Sequence, residues 1–384
     1  MNKYTETTTV WYGSRLKKSI VGFFLGILMI FWAVYLLWYN EGRYVDTRTG
    51  LNQWEESVVS INASSETSNQ KWLVHVQWVV DGEWQLVDDV FGIESDALKL
   101  RRVVEMYQWT ENTDTKKTDN FGGSETREVT YSYNSSWEER KVDSSNFRYK
   151  EAHINPTDWK FETMTYEKKN IKIGNILLDD TFIRKLDKTI SLELSQFDVK
   201  SKDVDIELVP SENKLYVGWK NNVPQIGDLR VSFEVVEAGM VTAIGEHSDK
   251  LLSTHHTENG TNIALLSYGK LSSEEMFGKA HKTNSVITWG LRGLGILILY
   301  LGFSGMLAPL VILAKVVPFV SRIIGFGTGI IAFFLAISVW FITIAIAWFY
   351  ARPIISVIII LIWVAIAGWV LYWKKQKSWK EQSA

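Results

Sequence analysis

The chain has 384 residues and no cysteine. That excludes disulfides, thiolate catalysis and cysteine metal sites. It also has no excess of positive charge: the formal net charge is −2. A nucleic-acid partner therefore finds no basic footprint here. No serine nucleophile elbow, phosphate loop or zinc motif occurs. There is no internal repeat, no low-complexity tract and no Gly/Ser- or Pro-rich linker. A mean hydropathy of −0.02 averages two regimes, a polar middle and apolar ends.

Long apolar runs are what the chain does have. Ile20–Trp38 follows the basic residues Arg15, Lys17 and Lys18 and ends in Trp38 and Tyr39. It is too long for a signal-peptide core and reads as a retained membrane helix. Trp289–Leu313, Ile323–Tyr350 and Pro353–Trp373 are three further runs of spanning length. Interfacial aromatics mark their ends, with Trp38, Tyr39, Trp348, Tyr350 and Trp373 the clearest.

Basic residues near the runs set an expected orientation. Arg15, Lys17, Lys18, Lys315, Arg322 and Lys374 onward fall on the cytoplasmic side, with only Arg352 outside. The expected layout is a cytoplasmic leader (1–19), a first helix (20–39), an extracytoplasmic domain (40–285), a three-helix membrane block (286–373) and a basic cytoplasmic tail (374–384). The fold class is thus an integral membrane α-helical protein of four transmembrane helices, one N-terminal and three C-terminal. It carries a large β-rich α+β extracytoplasmic domain.

Within that domain, Trp72, Val74, Val76, Trp78 and Val80 alternate, and Asp81-Gly82 signals a hairpin returning through Glu83–Val90. Arg102–Trp109 and Glu128–Trp137 read as a second strand pair, with Glu111–Arg127 as a mobile polar loop. Ile176–Leu194 has helical spacing through Leu178, Phe182, Leu186 and Ile190. Strands are expected at Val204–Val209, Lys214–Trp219, Leu229–Val236, Met240–Ile244 and Ile263–Tyr268. Ser272-Ser273-Glu274-Glu275 reads as a helix start.

Several stretches resemble the LUMA family, also called transmembrane protein forty-three. They are Arg102-Val103-Val104-Glu105-Met106-Tyr107-Gln108-Trp109, Tyr131-Ser132-Tyr133-Asn134, Ser145-Asn146-Phe147, Asn155-Pro156, Gly227-Asp228-Leu229-Arg230-Val231-Ser232-Phe233, Thr288-Trp289-Gly290-Leu291-Arg292 and Arg352-Pro353. The resemblance implies one helix, a large lumenal or periplasmic domain and three further helices. Eukaryotic members resemble organisers of the inner nuclear membrane and endoplasmic reticulum, with emerin and lamins as partners. The composition and compact tails here read as bacterial. That implies an inner membrane with a periplasmic domain. A eukaryotic source implies the endoplasmic reticulum or inner nuclear membrane.

Candidate sites are few. His255-His256 with Glu258 and His247 lacks the spacing of a metal site and reads as a polar loop. Asp179-Asp180 suits a helix start; it lies far from Glu105 in sequence, so only the fold could bring these acids together as an acid–base pair. No catalytic, cofactor or metal residue is assigned. Arg292, beside Trp289, is a charge just inside a membrane helix, and an intramembrane charge is a functional candidate by default. It is expected at a seam between membrane and outer domain, paired with an acid or carbonyl of the outer domain; the alternative is an arginine that snorkels to the interface. Gly325, Gly327 and Gly329 give a helix start suited to close packing.

The expected function is a non-enzymatic membrane scaffold. Its partners would be the lipid bilayer, other membrane proteins or a second copy of itself. The alternative is an enzyme acting on lipids or envelope polymers through outer-domain carboxylates.

Overall fold

A computed structural model describes residues 3–63, 68–197, 199, 207–220 and 223–351. The side chains of residues 68–71 and 318–322 are left aside. The chain divides into two compact units. One, β-rich, comprises Met1–Thr8, Leu51–Lys117 and Arg127–Ala280; the other, helical, comprises Thr9–Gly50, Thr118–Thr126 and the chain from His281 on.

The early strands are β1 (Lys3–Val10), β2 (Val59–Ile61), β3 (Ser68–Glu83), β4 (Leu86–Asp88), β5 (Ile93–Ser95), β6 (Lys99–Asp119) and β7 (Glu125–Glu138). Next come β8 (Met164–Glu167), β9 (Lys169–Ile173), β10 (Ile176–Leu178), β11 (Ile190–Ser191), β12 (Glu207–Val209) and β13 (Lys214–Val217). The last are β14 (Leu229–Val236), β15 (Gly239–Asp249), β16 (Leu251–Ser253), β17 (His255–His256), β18 (Asn262–Ile263) and β19 (Leu265–Tyr268). The helices are α1 (Tyr12–Glu55), α2 (Asp180–Arg184), α3 (Ser273–Ala314) and α4 (Pro318–Ala351).

One sheet runs β1-β7-β6-β14-β13-β12, with β11 on β14 and β8 on β6. The other runs β19-β15-β16-β10-β9-β3-β2, with β15 also on β3. Leu229, Val231, Phe233 and Val235 are buried as their alternation requires, and β14 pairs antiparallel with β6 from Leu229↔Met106 to Val236↔Lys99. Of the alternating set in β3, the valines 74, 76 and 80 form core, while Trp72 and Trp78 are exposed.

Three expectations within the sheets are corrected. Asp81-Gly82 is not a turn: β3 runs through it and pairs with β15 and β9. Gly82 is needed for close approach, since a Cβ there would lie 2.8 Å from the Lys168 Cβ. The polar stretch 111–127 is not a loop. β6 and β7 continue through it to a short turn, because solvent-facing strands can be polar throughout. Ile176–Leu194 is not one helix. Leu178 ends β10, Phe182 lies in the five-residue α2, and both join the same core with Leu186.

The leader expected at 1–19 holds β1, and its side chains bind within the β-rich unit. Tyr4 stacks on Tyr149 with centroids 4.1 Å apart, and Glu6 accepts from Arg148 Nε at 2.7 Å and Tyr149 Oη at 3.0 Å. Thr5 and Thr130 hydroxyls meet at 3.1 Å. Glu6 is held below the usual carboxylate range chiefly by its bond to Arg148.

Three helices are long and apolar enough to cross a membrane among the described residues: Tyr12–Glu55, Ser273–Ala314 and Ile323–Ala351. The fourth expected span, Pro353–Trp373, lies outside the described residues, as do Trp373 and the basic tail. The helices also extend beyond the apolar runs. α1 continues to Glu55 and α3 starts at Ser273, inside the segment 40–285 expected as outer domain. The start of α3 follows its sequence signal: Ser272 Oγ accepts from Glu275 N, and Glu275 Oε2 accepts from Ser272 N at 2.8 Å.

Candidate functional site

In the helical unit, α1 and α3 pack antiparallel through a stripe of residues spaced three and four apart. Asn284, Thr288, Arg292, Gly295, Leu299 and Gly302 share this face of α3, as 3.6 residues per turn dictates. Small residues bring the backbones together. A Cβ on Gly26 would lie 2.4 Å from Gly302 O, and one on Gly295 would strike the Leu37 side chain at 2.5 Å. Apolar core follows on the same face, with Ala33, Leu37, Leu299, Phe303, Ala332 and Ala336.

At one end of this core lies a polar layer. Arg292 donates from Nε and Nη2 to the two oxygens of Glu41, at 2.6 and 2.7 Å. Trp348 Nε1 donates to Glu41 Oε2 at 2.6 Å, and Trp340 Nε1 donates to Arg292 O at 3.0 Å. The guanidinium lies 4.7 Å from the Trp289 ring centroid. Glu41 is 0% exposed and Arg292 8%. One turn away, Asn40 Nδ2 donates to Thr288 O at 3.1 Å. Arg43 donates to Asn284 Oδ1 and Thr288 Oγ1, both at 2.9 Å.

The layer thus bonds α1 to α3 and α4. Its carboxylate has three donors and its guanidinium a bidentate partner, which is the condition for a charge pair to persist out of water. Chemically it is a clamp: it holds three helices in one register, and its charged pair is taken up by its own members, with Arg43 Nε the one buried nitrogen of the layer left without a hydrogen bond.

Arg292 and Trp289 therefore sit together, as the sequence singled them out, and the partner acid is Glu41 of α1. Trp348, expected from the sequence as an interface aromatic, belongs to this cluster through its bond to Glu41. Trp38 lies 5.5 Å from Tyr350, ring to ring, and Tyr39 is exposed. Gly325 and Gly329 face a groove of about 830 Å³ between α3 and α4, lined by Tyr300, Phe326, Phe333 and Phe334. A Cβ on Gly327 would meet nothing within 4 Å. The tight glycine contacts are instead Gly26 with Gly302, and Gly22 O with Gly305. Gly22-Phe23-Phe24-Leu25-Gly26 is a small-xxx-small pattern that could have announced them.

In the β-rich unit the remaining candidates hold structural bonds. Asp179 caps α2, accepting from Thr181 N and Phe182 N, and accepts also from Thr254 N. Glu105 pairs with Lys214 at 2.5 Å and Arg230 at 3.4 Å. His255 Nδ1 meets Glu246 at 2.9 Å, and His256 meets Asn262. Among the described residues no group of three or more His, Asp or Glu is placed to hold a metal. A polar cavity of about 710 Å³ is lined by Asp179, Glu246, His256 and Lys185.

The motif residues quoted for the family resemblance are tied likewise. Arg102 forms a buried pair with Asp88 at 2.7 Å, and Gln108 bonds Glu138 O, Arg140 O and Val142 N. Asn155 bonds both N and O of Trp109. Tyr133 donates to Glu111 at 2.5 Å; burial, then that bond, pushes its phenol up to about 12.

A family model for Transmembrane protein 43 matches residues 106–353. The mouse protein of that name is 30% identical over 369 residues, covering 93% of this chain and 91% of its own. The human protein is 31% identical over 357 residues, covering 90% and 88%. A Drosophila melanogaster homolog is 27% identical over 279 residues, covering 70% and 72%. No solved structure matches.

Proposed function

The chain belongs to the Transmembrane protein 43 family, and from that premise we propose that it is a non-enzymatic organiser of its membrane. In this reading the clamped helices hold it in the bilayer while the β-rich unit recruits other membrane proteins or further copies of itself. In this reading Arg15, Lys17 and Lys18, basic residues ahead of the first apolar run, lie at the cytoplasmic face.

One observation carries the reading. In the β-rich unit the acids suited to chemistry hold caps and ion pairs, whereas Trp84 and Trp219 stand 75% and 74% exposed. Exposed tryptophans on a rigid sheet domain suit protein contact. Crosslinking in native membranes followed by mild extraction tests it. The expected outcome is recovery in assemblies that Trp84→Ala/Trp219→Ala weakens. Recovery only as an isolated monomer under several detergents overturns it.

The enzymatic alternative, on lipids or envelope polymers, has the cavity of Asp179, Glu246 and His256 in its favour. Glu246→Gln would abolish any lipid or glycan hydrolysis measured with purified protein on that reading.

A further inference from the structure

The helical unit has a second polar layer. Arg15 precedes Glu41 by 26 positions on α1, which is about 39 Å along a helix. Here Arg15, 5% exposed, donates to Asp119 Oδ1 at 2.7 Å and Gly123 O at 2.8 Å, and lies 3.2 Å from Glu125. Lys315, just past α3, meets the same Asp119 at 3.0 Å, and Gly122 N donates to Val316 O at 3.1 Å. Burial alone would raise Asp119; its bonds to Arg15 and Lys315 outweigh this and hold it below the usual carboxylate range. The two acids of the β6–β7 turn are thus matched by two cations.

With the acids neutralised, the rim is apolar and basic. Phe121 is 85% exposed and Trp11 74%, while Val316 and Val317 are 47% and 44% exposed. Lys17 and Lys18 are exposed, two and three residues before the apolar run begins at Ile20. Phe121 is held outward by design of the turn. Gly122 and Gly123 both take φ +82°, and a Cβ on Gly123 would strike the Tyr12 ring at 2.4 Å. An aromatic on a fixed glycine turn, beside lysines and a membrane-length run, matches the chemistry of a lipid headgroup boundary.

We propose that this end is an interfacial anchor in an anionic leaflet. Phe121 and Trp11 enter the boundary between headgroups and acyl chains, and Lys17 and Lys18 face lipid phosphates. Residues Thr118–Thr126 then lie at the same leaflet as the N-terminal end of α1, although they fall inside the 40–285 segment expected on the opposite side.

The absence of cysteine makes the test direct. Phe121→Cys and Trp11→Cys, made singly in the full chain, carry a polarity-sensitive bimane in vesicles of phosphatidylcholine with phosphatidylserine. Both sites are exposed, so neither change disturbs packing. The expected result is blue-shifted emission at both positions, quenched by shallow nitroxide lipids. Both positions should also be reached by an impermeant quencher added from one and the same side. The shift at position 121 should shrink in phosphatidylcholine alone and in Lys17→Gln/Lys18→Gln. Water-like emission at position 121, or quenching of the two sites from opposite sides, overturns the anchor. A shift indifferent to both lipid charge and the lysines overturns its anionic preference.

Discussion

Glu41 is a carboxylate with no water contact and three donors, so its neighbours decide whether it is an asset. Removing Arg292 alone strands it. Arg292→Leu is expected to cost about 3–5 kcal/mol of bundle stability, the usual penalty for breaking a buried pair. Glu41→Leu/Arg292→Leu is expected to recover most of that, because two apolar residues leave no charge unpaired. Thermal unfolding in mild detergent, wild type against single and double variants, checks the order. Equal losses in both variants would show that the pair contributes more than compensation.

Tyr133 gives a second single-residue expectation. Its folded phenol titrates near 12 against 10 unfolded, so the fold favours the protonated form. Stability is full below pH 10 and falls as pH rises toward 12. Tyr133→Phe keeps the ring against His153, 3.9 Å away, but leaves Tyr149 N without its acceptor and Glu111 with only the Arg148 N–H as donor. A loss of about 1–3 kcal/mol at neutral pH is expected, with a weaker decline between pH 10 and 12. Denaturant melts across that range read both effects.

For the elements, glycine position decides the sign of a substitution. Gly→Ala inside a helix gains about 1 kcal/mol from propensity alone. Gly327→Ala meets nothing and should stabilise. Gly26→Ala meets Gly302 O at 2.4 Å and should part α1 from α3, lowering the melting temperature of the same bundle. These elements also show what could be read in advance. The α3 start was legible because Ser272 through Glu275 are four adjacent letters making one local motif. β14 was legible because one face is buried and the other is not. The β6–β7 arm was misjudged, since polar strands look like loops when their partners are distant in sequence. Gly82 misled because the same residue serves a turn and a close approach, and only Lys168 distinguishes them.

At the level of the whole chain, β1 and β7 join residues more than a hundred positions apart, a pairing with no local signal. The Arg292 partner was open for the same reason, since Glu41 stands 251 residues earlier. Thr5→Cys/Thr130→Cys should form an intramolecular disulfide under mild oxidation, visible as a gel shift without reductant. A link closing so long a loop is expected to stabilise by about 4–5 kcal/mol. A dimer in place of the internal link would mean that β1 is exchanged between copies.

The clamp also has a timetable. Glu41 leaves the ribosome 251 residues before Arg292, so at about 5–20 residues per second it waits roughly 12–50 s for its cation. During that interval the carboxylate lacks its cation and α1 lacks its helix partners, although the β6–β7 turn that binds Arg15 is already made. Glu41 lies three residues past Trp38, at the polar end of the apolar run, where an unpaired acid can wait in water. Burial of Glu41 is therefore a late event of biogenesis: α1 can be inserted early, but its register is fixed only when α3 arrives.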